Sequence, residues 1–85
     1  MSDSPLTANI TPGPGGVMTD EVGVVTGELT MATVVGPDNE VVVRVQYLGA
    51  EEWYVVTGAK AKLTDPADAA AVHQIVTGIL HRPEG

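Results

Sequence analysis

The chain has 85 residues, no cysteine and a formal net charge of −7, from eleven acids against four lysines and arginines. That length allows one domain with a small core, which neither disulfides nor thiolate metal sites can reinforce. Such an acidic balance argues against nucleic-acid binding, which depends on neutralising phosphates with Lys and Arg, and it disfavours anionic membrane surfaces.

No apolar run approaches the ~20 residues of a membrane span. Met1-Ser2-Asp3-Ser4 lacks the basic and apolar regions of a secretory signal. A cytoplasmic protein is the expectation, and the Asn9-Ile10-Thr11 glycosylation pattern is then fortuitous. The Ala- and Val-rich, Lys-poor composition suggests a high-GC bacterial genome.

Residues 1–16 are rich in Ser, Thr, Pro and Gly and end in Gly13-Pro14-Gly15-Gly16. They bury too little apolar surface to offset their ordering entropy and are predicted to be a disordered N-terminal tail. Residues 17–85 are left as a single small α+β domain. In 17–27, Val22, Val24 and Val25 favour a strand while Gly23 and Gly27 weaken it. That segment reads as an edge strand or as the bulged start of the next one.

Three strand-like runs follow, Glu28–Val35, Glu40–Leu48 and Glu52–Thr57, with Ala59, Ala61 and Leu63 prolonging the last. The inward candidates (Leu29, Met31, Val35, Val41, Val43, Val45, Tyr47, Trp53 and Val55) all have odd numbers, as a period of two requires. Odd residues face odd residues only across hairpin loops of odd length. Pro37-Asp38-Asn39 supplies one, with Asn suited to a left-handed third position. It sets Val35 opposite Val41, Met31 opposite Val45 and Leu29 opposite Tyr47. Gly49-Ala50-Glu51 is the expected second loop, placing Tyr47 opposite Trp53 and Val45 opposite Val55, although Glu51 suits a left-handed position poorly.

The spacing predicts one helix over Pro66–Arg82, with Asp65 as N-cap, Pro66 at the first helical position and Asp68 near the positive end of the dipole. Val72, Ile75, Val76, Ile79 and Leu80 form one apolar stripe, and Pro83 ends the helix. Gly78 suggests close packing. The expected architecture is an antiparallel β-meander of three to four strands with one C-terminal helix packed on one face.

The second face of that sheet would carry Ala32, Val34, Val42, Leu48, Tyr54 and Val56, too apolar for an ordinary wet face. This marks Val34, Val42, Arg44, Gln46, Tyr54 and Val56 as a candidate interface, with Tyr54 its desolvated aromatic. The chemical motifs are weak. His73, Thr77 and His81 fall on the helix flank away from the stripe. The two histidines are two turns apart, too far to share an ion within one subunit. Asp38-Asn39-Glu40 is too short for a calcium loop. Glu51 and Glu52 point to opposite faces, and Thr57-Gly58-Ala59-Lys60 lacks phosphate-loop spacing, so Gly58 reads as a bulge. No catalytic, cofactor or metal residue is assigned. The leading expectation is a non-enzymatic assembly module that self-associates through the even-numbered sheet face, as a homodimer or with a protein partner. The alternatives are an acidic, immunity- or antitoxin-like inhibitor of a basic protein, and a small-ligand binding protein or enzyme with a pocket between sheet and helix or between subunits.

Overall fold

The computed structural model describes residues 5–83. It is an α+β arrangement with one antiparallel sheet and one C-terminal helix. The strands are β1 (Leu6–Ile10), β2 (Val17–Thr19), β3 (Gly23–Val25), β4 (Leu29–Val35), β5 (Glu40–Tyr47) and β6 (Tyr54–Lys62). A 3-10 turn at Pro66–Asp68 leads into α1 (Ala69–Leu80). The spatial order is β1-β4-β5-β6-β2-β3, so there are six strands rather than three to four.

The extra strands come from the expected disordered tail and from residues 17–27. Within the expected tail, Leu6–Ile10 pairs with β4, Leu6 opposite Thr33 and Ile10 opposite Leu29. Ile10 is buried in the core. One buried apolar anchor, Ile10, and a free sheet edge therefore order a stretch whose composition alone does not. Residues 1–4 of that expected tail lie outside the described residues. Val17–Thr19 and Gly23–Val25 form a short hairpin with Val17 opposite Val25, joined to β6 through Thr19 opposite Val56. Val17, Thr19 and Val25 are buried.

β4 and β5 pair as the alternation requires, with Leu29 opposite Tyr47, Met31 opposite Val45 and Val35 opposite Val41. The Gly36 N–H donates to the Glu40 carbonyl at 2.8 Å, and Asn39 takes a left-handed φ of 66°. Pro37-Asp38-Asn39 is thus the three-residue loop. Leu29, Met31, Thr33, Val41, Val43 and Val45 are buried on the inner face.

The next connection departs from expectation. Its turn is made by Tyr47–Ala50, with the Ala50 N–H on the Tyr47 carbonyl at 2.9 Å and Gly49 at φ 84°. Gly49, rather than Glu51, takes the left-handed position, because glycine alone adopts it without a Cβ penalty. Val45 then lies opposite Tyr54 and Arg44 opposite Val55. This is a slip of one residue, and it turns every side chain at the start of β6 over. At Gly58, φ 80°, the ladder is interrupted, and beyond it Val42 lies opposite Lys60 and Val41 opposite Ala61. The expected parity returns there.

The core cluster unites Ile10 of one edge strand with Val25 of the other, around Val17, Leu29, Met31, Val43, Val45 and Val56. The sheet therefore curls, and α1 lies in its concave side, packed on β4 and β1. Val72, Val76 and Leu80 meet the core. The Asp65 carboxylate accepts from the Ala67 N–H at 2.9 Å, capping the 3-10 turn as its position in sequence suggests. At the other end, the Arg82 N–H donates to the Thr11 carbonyl at 2.7 Å, and the Thr11 N–H donates to His81 Nδ1 at 3.0 Å. Both backbone groups of Thr11 are thereby tied to the helix C-terminus.

Candidate interaction surfaces

The outer face of the sheet is built by even-numbered residues of β4 and β5. Val34 and Val42 are opposite each other, as are Ala32 and Arg44, and Thr30 and Gln46. Because of the slip, the β6 residue beside Arg44 is Val55. Val34, Val42, Gln46 and Val55 are half-buried and Arg44 is exposed. Lys60 and Lys62 join this face opposite Val42 and Glu40, so three of the four cations in the chain lie on it. No second layer of the described structure packs over it; the helix lies on the opposite side.

Tyr54 and Val56 do not belong to this surface. They point into the concave side, where Val56 is 8% exposed and Tyr54 packs against the core cluster. The Tyr54 hydroxyl donates to Glu52 Oε1 at 2.9 Å. Its ring meets Tyr47 edge-on at 6.5 Å. The Glu52 bond is the main reason its phenol is pushed above the ordinary tyrosine value of 10.0, because it favours the protonated form. The expected core residues Trp53 and Tyr47 are instead 37% and 42% exposed. Of the six expected interface residues, the structure places Val34, Val42, Arg44 and Gln46 on one face, where Val55, expected in the core, joins them. The adjacent pairs Trp53-Tyr54 and Val55-Val56 carried no signal to say which member faces out.

A second surface lies on the helix. Ile75 and Ile79 are 62% and 59% exposed, the two largest exposures among the large hydrophobic side chains described. They were expected to lead the core-facing stripe. The helix is rotated so that His73 and Thr77 face the sheet instead. His73 Nδ1 and the buried Thr33 hydroxyl are 2.8 Å apart. The Thr77 hydroxyl donates to the His73 carbonyl at 2.6 Å and lies 4.0 Å from Met31 Sδ. Thr33 is the cause that the sequence supplies. A hydroxyl in the middle of an apolar inner face needs a partner, and His73 provides one. Among the described residues no buried side-chain nitrogen or oxygen lacks a partner. The rotation leaves Ile75, Gly78 and Ile79 outward, and a Cβ at Gly78 would touch nothing within 4 Å. Its expected close packing is therefore not made within the described chain, although a mid-helix glycine costs about 1 kcal/mol relative to alanine.

Among the described residues no group of three His, Asp or Glu is placed to hold a metal ion, and no helix is long and apolar enough to cross a membrane. Comparison with family models, curated proteins and solved structures returns no match for this chain.

Proposed function

We propose that this chain is a non-enzymatic assembly module that pairs with a second copy through its outer sheet face. The observation that carries the reading is the apolar cross-strand pair Val34–Val42, with Val55 on β6 beside Arg44, lying on a face without a second layer. A sheet with one wet face normally turns polar residues outward at such positions. One pair of charges on the same face, Glu40 and Arg44, is self-complementary. Glu40 and Arg44 flank Val42 on β5, so a two-fold axis through Val42 sets each Arg44 against the other copy's Glu40. Isologous pairing asks for this kind of self-matching surface. The placement of Arg44, Lys60 and Lys62 there also makes this face a poor docking site for a basic partner.

Gel filtration with light scattering at high micromolar concentration tests the proposal. The wild-type chain is expected to run as a dimer. Val42→Glu is expected to weaken the dimer at least about tenfold, because it places like charges across the axis, while leaving the far-ultraviolet circular dichroism unchanged. A wild-type chain that stays monomeric, or a dimer indifferent to Val42→Glu, overturns the sheet-face reading.

A further inference from the structure

We infer that the exposed ridge of α1 is a second self-association surface, pairing antiparallel with the same helix of another copy. This pairing uses the side of the molecule opposite the outer sheet face and rests on separate observations.

The ridge follows a spacing of three and four residues through Asp68, Ala71, Ile75 and Gly78, with Ile79 beside it. All five are exposed. Such spacing lets two helices cross at a shallow angle, with side chains of one entering gaps of the other. With Ile75 on a two-fold axis, it meets the second copy's Ile75, Ile79 falls against the second copy's Ala71, and Gly78, without a side chain, leaves room for close approach. Beside the axis, large Ile79 meets small Ala71 on both sides. The outermost pair sets Asp68 toward the second copy's Arg82, seven positions from the axis on either side. Arg82 lies past the helix end, but its Nε donates back to the Ile79 carbonyl at 3.3 Å, holding the guanidinium at that terminus. Opposed helix dipoles add to this match.

Charge also selects the occupant. Two copies at −7 repel each other over most of their surfaces. The twelve residues of α1 include no Asp, Glu, Lys or Arg, so this is a face where the copies meet without opposing like charges. Among the described residues, Asp68 at one end and Arg82 at the other become attractive in the antiparallel arrangement. A basic or acidic foreign partner would find no complementary charge along the ridge itself. If both faces pair, contacts on opposite sides alternate and link copies into an open row.

Site-directed cross-linking provides the test, since the chain has no native cysteine. Ile75→Cys is expected to give a covalent dimer with a short bismaleimide, at least about fivefold faster than Gln74→Cys on the neighbouring exposed face, as proximity dictates. Ile75→Glu combined with Ile79→Glu should weaken self-association by about tenfold or more. Asp68→Arg should weaken it less, and adding Arg82→Asp should restore it. Gly78→Ala should raise the thermal midpoint of the isolated chain while weakening association, a split that a purely structural glycine would not produce. Equal cross-linking at positions 74 and 75, or association untouched by the two glutamates, overturns the helix pairing. Val42→Glu keeps the results separate: the Ile75→Cys cross-link should survive it if the ridge pairs on its own, and its loss there also overturns this inference.

Discussion

Two hairpins share strand β5, and they behave oppositely. The β4–β5 hairpin closes on a three-residue loop and keeps the register that its alternation implies. The β5–β6 connection slips by one, and the residues expected outside go in. Hydrophobic pattern cannot account for the difference. Both hairpins contain adjacent apolar residues, Val34-Val35 and Val41-Val42-Val43 in the first, Trp53-Tyr54 and Val55-Val56 in the second. Where both parities are apolar, burying either costs about the same, and the turn decides. Asn39 sits where the first loop needs a left-handed residue. In the second, that position falls to Gly49, two residues earlier than the alternation needed, and β6 starts out of step.

The largest expected effect tests the inverted parity directly. Val56→Asp places a carboxylate in the core cluster and should cost roughly 3 kcal/mol or more. Val55→Asp, one residue away on the outer face, should cost about 1 kcal/mol or less. Urea unfolding of both variants, at concentrations where the chain is monomeric, reads the contrast. Equal costs, or a larger one at Val55, would show that β6 keeps the register predicted from alternation.

What the sequence made legible follows the same division. The inner faces of β4 and β5, the Asn39 loop, the bend at Gly58 and the Asp65 cap all had a local chemical cause that points one way. Leu6–Ile10 did not, because its order comes from pairing with β4 and from burying Ile10, both tertiary events. The helix was placed correctly along the chain and misjudged in rotation. An apolar stripe through Ile75 and Ile79 was the stronger local signal, yet Thr33 on the inner face required a polar partner from the helix. Four of the six candidate residues share the outer face because they lie on the hairpin with the reliable turn. The two that fail, Tyr54 and Val56, lie just past the unreliable one.

A smaller effect sharpens the account of the turns. Gly49→Ala forces a Cβ into the left-handed region, at about 1–2 kcal/mol, whereas Asn39→Ala loses only asparagine's greater tolerance of that region, at about 1 kcal/mol or less. The Gly49 cost is purely conformational, since a Cβ there would meet nothing within 4 Å. Asn39→Gly should fall within a few tenths of a kcal/mol of wild type, the gain in conformational ease offsetting the greater freedom of the unfolded chain. Thermal and urea midpoints report all three. If Gly49→Ala is silent, that turn does not hold the register, and the comparison between the hairpins loses its cause.

The smallest expected effect concerns the inward tyrosine itself. Its hydrogen bond to Glu52 stabilises the protonated phenol, so the folded chain holds this proton more tightly than the unfolded one does. The resulting stability is fully present below the ordinary tyrosine value of 10.0 and is lost as pH rises through the higher folded midpoint. Around neutral pH the contribution of this proton should therefore be constant. In a Tyr47→Phe background, the phenolate absorbance of Tyr54 should titrate above the ordinary range, and Glu52→Gln should bring the midpoint down. Removal of the carboxylate takes away both the charged acceptor and the repulsion that opposes a phenolate. An outward Tyr54, free of Glu52, would titrate normally and ignore the substitution. This alkaline measurement thus reports on the same side-chain reversal as the core variants, through one proton instead of the whole fold.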